Sequence, residues 1–337
     1  GPNPRPYGER HVTNAIPSRR LGHVPVLLDE VIALLEPRDG AFFVDGTFGC
    51  GGYSEALLAS AACHVVAIDR DPDAQDFAAK LKEENEARFD FIAGNFGAMD
   101  KHLKALGVAT IDGGIVLDLG ISSAQLDDPL RGFSFQHDGP LDMRMENAGP
   151  DAMSFVNQAS ETELARVIRG YGEERRALSV AKAIVAARSR QTISRTGDLA
   201  AIVRRVVRKS ADGLDPATRT FQALRIHINN ELGELASGLA AAERVLAAGS
   251  RLVVVSFHSL EDRLVKSFFR DRIGRASNPS RHQPTQKRED VPSFRLLTAR
   301  PVRPKTGEIS ANARSRSARL RAAERTSAAP WPVQVLV

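Results

Sequence analysis

The 337-residue sequence predicts an α/β fold, a doubly wound parallel sheet interrupted by an all-helical insertion. Three observations lead there. Short apolar runs alternate with helical patterns through the first third of the chain. A glycine-rich stretch, FVDGTFGCGGYS, follows the first of those runs. More than 130 residues, patterned as helix, then separate the fourth run from the fifth.

The runs are Phe42–Asp45, His64–Asp69, Phe89–Ala93 and Gly113–Asp118, with EALLASA and AQDFAAKLKEENEA patterned as helices between them. Alternating strand and helix implies parallel strands joined by crossover helices. The fifth run is RLVVVSF, Arg251–Phe257. So long a gap before it is too much for a loop in a compact sheet, which makes the gap a domain in its own right. Within it, ETELARVIRGYGEERRALSVAKAIVAARSR and GDLAAIVRRVVRK repeat apolar residues every three or four positions, and Asp198 is the expected cap of the second. Asp215-Pro216 predicts the start of a long helix that runs to a left-handed stop at Gly249. RDRIGRASNPSRHQPTQKRED reads as a surface loop, and SFRLLT and RSARLRAAE as late strands. The division that follows is a polar, mobile segment 1–20, a sheet domain 21–127 plus 229–325, a helical insertion 128–228, and a tail 326–337. No internal repeat is present.

Composition narrows the function. Hydrophobic residues make up 42% of the chain, normal for a soluble globular protein, and no apolar run is long enough to cross a bilayer. The opening Gly1-Pro2 reads as the scar of a cleaved tag. Cys50 and Cys63 have neither metal spacing nor a disulfide framework, which points to reduced thiols and a cytoplasmic location. The net charge of +5 hides an asymmetry. Residues 1–127 carry 11 Lys and Arg against 19 Asp and Glu, whereas residues 263–325 carry 17 against 5. A GC-rich genome inflates arginine, which supplies 37 of the 46 basic residues, but it does not explain an acidic first third. A polyanion such as RNA is the natural partner of the basic end.

The glycine loop selects the ligand. A P-loop would need Lys-Ser/Thr where the chain has GGYS, and GTFGCGG does not fit the G-x-G-x-x-G spacing of dinucleotide sites. Asp45, ending the first strand, would repel a phosphate by about 4 kcal/mol at ~4 Å and an effective dielectric near 20. S-adenosylmethionine reverses that sign, because it carries an ammonium and a sulfonium and no phosphate. Asp69 ends the second strand and can take both ribose hydroxyls, a role shared with NAD proteins. Phe96, in AGNF, offers an adenine surface or a core side chain. Asp118 ends the fourth strand, at the mouth where open sheets bind ligands. Acids ending strands one, two and four around one crevice suit a cationic methyl donor.

At this point the chain resembles the bacterial small-subunit (16S) ribosomal RNA cytosine-N4 methyltransferases, the RsmH/MraW family. The resemblance is carried by HVPVLLDEVI, FVDGTFGCGGYS, AIDRDP, LDLGISSAQLDDPLRGFSF, LDMRM, FQALRIHINNELGEL, VVVSFHSLEDRLVKSFF and RPKTGEISANARSRSARLRAAER, in order from about residue 22 to 325. It implies a class I S-adenosylmethionine-dependent methyltransferase fold, Rossmann-like, with an inserted helical substrate-recognition domain. It implies methyl transfer to the exocyclic N4 amino of a cytidine in the decoding region, with the assembled subunit favoured over naked RNA. Cofactor contacts carry over to Gly51, Gly52, Tyr53, Asp69, Phe96, Asp118 and Gln125. Tyr53 departs from the family, which commonly has His there, so a backbone contact would survive and an imidazole contact would not.

In-line methyl transfer asks the protein mainly for positioning, and the N4 lone pair must be turned out of conjugation toward the methyl. Many amino-methyltransferases place an Asp/Asn-Pro-Pro-aromatic turn after the fourth strand. DLGISS has no proline pair, so the acceptor of the amino hydrogen stays open. Ser256 and His258 are candidates for base handling, with orientation of the turn as the alternative for His258. Ser259 with Asp262 predicts a capping box. Asn229 and Asn230, where the long helix enters the sheet domain, read equally as surface polarity or RNA contacts. Asp127-Asp128-Pro129 reads as a hinge, and no cluster has metal-ligand spacing. A helical lobe and a basic tail would grip phosphates while the base leaves its stack, with Arg314, Arg316 and Arg319 as the tail's contacts. Competing functions are a methyltransferase on DNA or a small metabolite, or a non-enzymatic RNA-binding assembly factor that senses the cofactor. Oligomeric state is open, a homodimer included.

Overall fold

The structure is a computed structural model, and it describes residues 24–209, 211–274 and 291–332. Seven strands form one sheet: β1 (Phe42–Asp45), β2 (His64–Asp69), β3 (Phe89–Ala93), β4 (Gly114–Asp118), β5 (Arg251–Ser256), β6 (Phe294–Leu296) and β7 (Arg319–Arg325). Their order is β3-β2-β1-β4-β5-β7-β6. Strands β1 to β5 are parallel, and β7 runs antiparallel to both β5 and β6. All five early strands lie where the apolar runs predict them. Val44, Val65, Val66, Ile115, Val116 and Leu117 have no exposed surface, which is why these strands read as continuous apolar runs without alternation.

Each face of the sheet is sealed by its own helices. Helices Leu28–Leu35, Gly52–Ser60 and Ala74–Glu84 cover one face, around Phe43, Leu57 and Phe89. Helices Met99–Ala105, Glu231–Val245 and Ser259–Arg272 cover the other, around Ile115, Leu239 and Phe269. The strand order reverses between β1 and β4, so their carboxyl ends open a crevice there.

The long gap is helical: Ala152–Gln158, Glu161–Gly172, Ala177–Arg188, Thr196–Val206 and Thr218–Ile228 follow one another. They bury a third apolar cluster of their own, from Phe133 to Leu224, separate from the two flanking the sheet. Asp151 and Ser160 cap the first two of these helices by accepting from Ser154 N and Glu163 N.

Three sequence expectations need correction. The helix expected to be capped by Asp198 starts at Thr196, so Asp198 lies in its first turn, where its charge suits the helix dipole. The long helix expected from Pro216 to Gly249 is two, Thr218–Ile228 and Glu231–Val245. It breaks at Asn230, which is left-handed at φ 47°, a conformation asparagine tolerates better than most residues. Gly249 is left-handed at φ 83°, but in the turn before β5, four residues past the helix end. Segments 1–20 and 275–290, expected to be mobile and loop-like, lie outside the described residues, as do residues 333–337 of the tail, while the first residues of that expected loop still belong to the helix Ser259–Arg272. Among the described residues no helix is long and apolar enough to cross a membrane.

Candidate active site

The carboxyl ends of β1, β2 and β4 and the loops after them enclose a pocket. Its walls include Thr47, Phe48, Gly49, Cys50, Gly52 and Tyr53 from the glycine loop, Asp69 and Asp71 after β2, Phe96 after β3, and Asp118 to Gln125 after β4. The glycine loop is locked from beneath. Gly46 N donates to Val116 O and Phe48 N to Ile68 O, which ties the loop to both neighbouring strands. Gly51 is left-handed at φ 86°, and a Cβ there would lie 2.7 Å from the Phe48 ring. At Gly52 a Cβ would meet Pro25 Cγ at 2.2 Å. Only glycine fits either place.

The predicted residues divide by what they do. Gly52, Tyr53, Asp69, Phe96, Asp118 and Gln125 share the pocket's walls, while Gly51 sits behind Phe48 and shapes the loop. Asp69 accepts Gly49 N at 2.7 Å and Asp71 N at 2.8 Å, which fixes its carboxylate at the end of β2. Burial still holds it above the usual carboxylate range, despite those N–H groups. Phe96 is half-buried, and its ring lies so close to the backbone of Gly238 that a Cβ there would come within 2.4 Å. Gln125 closes a capping box with Ser122 and donates through Nε2 to Asp71, so its amide is committed to the protein. Tyr53 is buried, its hydroxyl donating to Val26 O.

Asp45 does not face the crevice, contrary to expectation. It is fully buried under the glycine loop, where Ser54 Oγ and Thr47 N donate to its carboxylate at 2.7 and 3.3 Å. Burial raises its pKa to about 6, against those hydrogen bonds and with a further push from Asp69. A carboxylate just inside a loop is drawn to the loop's own donors before any ligand arrives. The acids that meet in the pocket are therefore Asp69 and Asp118.

Asp118 is held by its backbone, N–H to Thr47 Oγ1 at 2.7 Å, while its buried Oδ1 has no hydrogen-bond partner. Burial lifts its carboxyl well above the usual range, repulsion from Asp45 and Glu261 adds to that, and the Tyr53 hydroxyl opposes it.

The SFHSLED turn also differs from its reading. The cap of helix Ser259–Arg272 is His258: its Nδ1 accepts Glu261 N, and Glu261 accepts the N–H groups of Phe257 and His258. Ser259 instead donates to Glu173 of the helical insertion at 2.6 Å, and Asp262 holds Arg319 and Arg321. The box lies one residue before the expected Ser259 and Asp262, because histidine, an unusual cap, takes the place of the serine. Ser256 is buried, its hydroxyl 3.3 Å from Arg319 O.

Glu231, His258 and Glu261 bring ligand atoms within 4.8 Å of one another, a grouping invisible in sequence because separate elements supply it. Its chemistry is that of an ion-pair network. Arg225 forks onto both oxygens of Glu231 at 2.8 and 3.0 Å. Because His258 Nδ1 accepts, a neutral ring carries its proton on Nε2, which lies off-line 3.0 Å from Glu261 Oε1. A metal would need that nitrogen's lone pair. Burial works to raise Glu261, yet His258, Arg225 and the Phe257 N–H hold it below the ordinary range.

Asn229 is committed to the fold, while Asn230 is exposed at the left-handed break between two helices. Asn229, 6% exposed, accepts Met145 N and donates to Met143 O, both at 2.8 Å. Asp128 caps the turn Pro129–Arg131 through Leu130 N, and Asp127 pairs with Arg314.

The pocket suits S-adenosylmethionine on these observations: a close-approach glycine loop, a β2 acid placed for a ribose, and an unpartnered buried carboxyl oxygen where a cation would sit. Over residues 20–326 the sequence matches the MraW methylase family. A ribosomal RNA small subunit methyltransferase H of Paramagnetospirillum magneticum is 57% identical over 310 residues, 92% of this chain and 97% of the relative. The namesake from Rhodospirillum centenum is 58% identical over 91% of this chain and 93% of its own length. The one from Rhodospirillum rubrum is 54% identical over 92% and 96%. The chain belongs to the MraW methylase family.

Proposed function

We propose that this protein transfers a methyl group from S-adenosylmethionine to the exocyclic N4 of a cytidine in the decoding region of small-subunit ribosomal RNA, acting in the cytoplasm on the assembled subunit. The carrying observation is a pocket rich in acids and fronted by glycine, in a chain 57% identical over 92% of its length to a relative named as a ribosomal RNA small subunit methyltransferase. The cofactor supplies an activated methyl on a sulfonium. The chain's own residues hold and screen it. Asp69, oriented by one backbone N–H on each carboxylate oxygen, has a second lone pair on each oxygen to take the ribose hydroxyls. Phe96 gives the adenine a half-buried aromatic wall, and the backbone of Gly52 and Tyr53, with Gly51 shaping the turn behind Phe48, admits the methionine part. Gln125 contributes its apolar flank, since its amide ends are taken.

Residues 128–228 serve as the substrate-recognition unit and 21–127 plus 229–325 as the methyltransferase unit, joined through Asn229 and through Glu173 to Ser259 and Arg263. Arg314 and Asn312 border the pocket, which puts the basic end of the chain where phosphates flanking a flipped base would pass. A homodimer is compatible with this arrangement. The test is transfer of labelled methyl to intact small subunits, naked ribosomal RNA, DNA and free nucleosides, followed by mass spectrometry of the nucleosides. N4-methylcytidine from subunits is expected. Any other product, or none from subunits, overturns the reading.

A further inference from the structure

Of the seven carboxylates on the pocket's walls, six are already engaged. Asp69 takes two backbone N–H groups, Asp71 and Asp73 share Arg131, Glu231 holds Arg225, Glu234 holds Arg70, and Glu261 holds His258. The seventh, Asp118, has no cation and no N–H donor on its carboxyl group among the described residues. Its Oδ1 is buried without a partner, and the Tyr53 hydroxyl, the one polar group that favours its ionised form, is also hydrogen-bonded to Val26 O. A buried carboxyl left this way costs stability unless something bound completes it.

We propose that Asp118 is the catalytic residue that accepts a hydrogen from the target amino group and takes up its proton, a role that rests on the reading above. An acceptor on one amino hydrogen turns the nitrogen lone pair out of the ring's conjugation. That lone pair forms the new N–C bond as the S–C bond breaks with its electron pair left on sulfur, and the amino proton ends on Asp118. The charges balance. The positive charge on sulfur disappears in the step that neutralises the carboxylate facing it. Three groups face Asp118 from the packed elements, Asp45 on β1, Tyr53 on the glycine-loop helix and Glu261 on the helix after β5, and none of them is a cation. The carboxyl is therefore ionised beside a sulfonium and ready to be protonated beside a neutral sulfide. An acceptor at this point also selects an amino edge and refuses uridine, whose O4 is itself an acceptor.

Calorimetry on the native protein reads the first half of this. S-adenosylmethionine and S-adenosylhomocysteine, titrated between pH 5.5 and 8 in buffers of different ionisation heat, should differ in proton release by about one proton per site at some pH. Asp118→Asn should abolish that difference. Equal release by both compounds throughout, or a difference that survives in D118N, overturns the proposal. Kinetics read the second half. With saturating cofactor and subunits, D118N should lose at least about 100-fold in kcat, the range of a lost general base. A kcat within about threefold of native, or a loss that saturating cofactor restores, would show a cofactor contact and nothing more. If native protein fails to methylate cytidine, the function proposed above falls instead, and the proton-release comparison still stands by itself.

Discussion

The guanidinium of Arg131 forks onto the carboxylate of Asp71, with N–O distances of 3.2 and 2.9 Å, across 60 residues of sequence. Gln125 Nε2 donates to the same carboxylate, and Arg131 also donates to the carbonyls of Arg144 and Met145. One ion pair thus joins the pocket wall after β2, the turn after β4, and the loop leading into the helical insertion. Asp71 is 5% exposed through its side chain and Arg131 15%, so solvent screens little of it.

Removing the guanidinium leaves Asp71 charged and buried. Arg131→Met is expected to destabilise the protein by about 3 kcal/mol, as for other broken buried pairs, and to weaken cofactor binding with it. Adding Asp71→Asn should recover part of the loss. Urea unfolding of the two single variants and the double variant measures the coupling, and additive effects would contradict a specific pair.

Asn229 supports a strained turn. Met143 is fully buried and left-handed at φ 63°, a costly conformation for methionine, and the Asn229 amide bonds its carbonyl and the N–H of Met145, two residues on. Asn229→Ala should cost roughly 2–4 kcal/mol, two buried backbone groups losing their partners. The strain relieved at Met143 should show as faster hydrogen exchange at Met145 N. An exchange pattern unchanged from native would refute the clasp.

The sheet was legible because its strands are buried on both faces and announce themselves as unbroken apolar runs, and Asp69 and Asp118 because a strand's last residue sits at the mouth. The features misread share a cause. Asp45 also ends a strand, but in register it lies beside Ala67 and Val116, two residues short of Asp69 and Asp118, and so sits under the loop among Ser54 and Thr47. Asn229, Arg131 and Glu231 were missed as site-builders because their partners lie 84, 60 and 6 residues away on other elements, and nothing in local spacing marks such pairs. The helix break at Asn230 was hidden because apolar residues continue at helical spacing on both sides of it, and Asn229, Asn230 and Gly233 are weak signals against that pattern.

The basic end of the chain is less available than its net charge suggests. Arg319 and Arg321 are held by Asp262, Arg314 by Asp127, and Arg325 is buried with its guanidinium on backbone carbonyls. Arg316 is exposed, two residues from the pocket's rim, and makes no ion pair among the described residues. Arg316→Glu should weaken RNA binding and lower the salt-dependence slope by about one phosphate contact, with little change in stability. Arg319→Glu should instead lower the melting temperature. Filter binding across a salt series separates the two, and identical effects of both variants would show that Asp262 does not sequester Arg319.

Asp45 should make the free protein less stable than it could be, and the effect has a definite pH window. Its carboxyl, unexposed beneath the glycine loop, has a folded pKa of about 6 against 3.8 for an unperturbed aspartate. A raised acid binds its proton more tightly in the native state than in the unfolded chain. The native state is therefore unaffected below about pH 4, loses stability as the pH rises from there to 6, and carries the full loss above that. Two pKa steps at 1.36 kcal/mol each put it at roughly 3 kcal/mol. Asp45→Asn keeps an acceptor for Thr47 N, while Ser54 Oγ can accept from the new amide. The variant should be more stable than native at pH 7.5 by up to that amount, and indistinguishable from it near pH 4. Thermal melts of both proteins at the two pH values decide it, and a variant less stable at pH 7.5 would mean that the ionised carboxylate holds the loop more strongly than its burial opposes it.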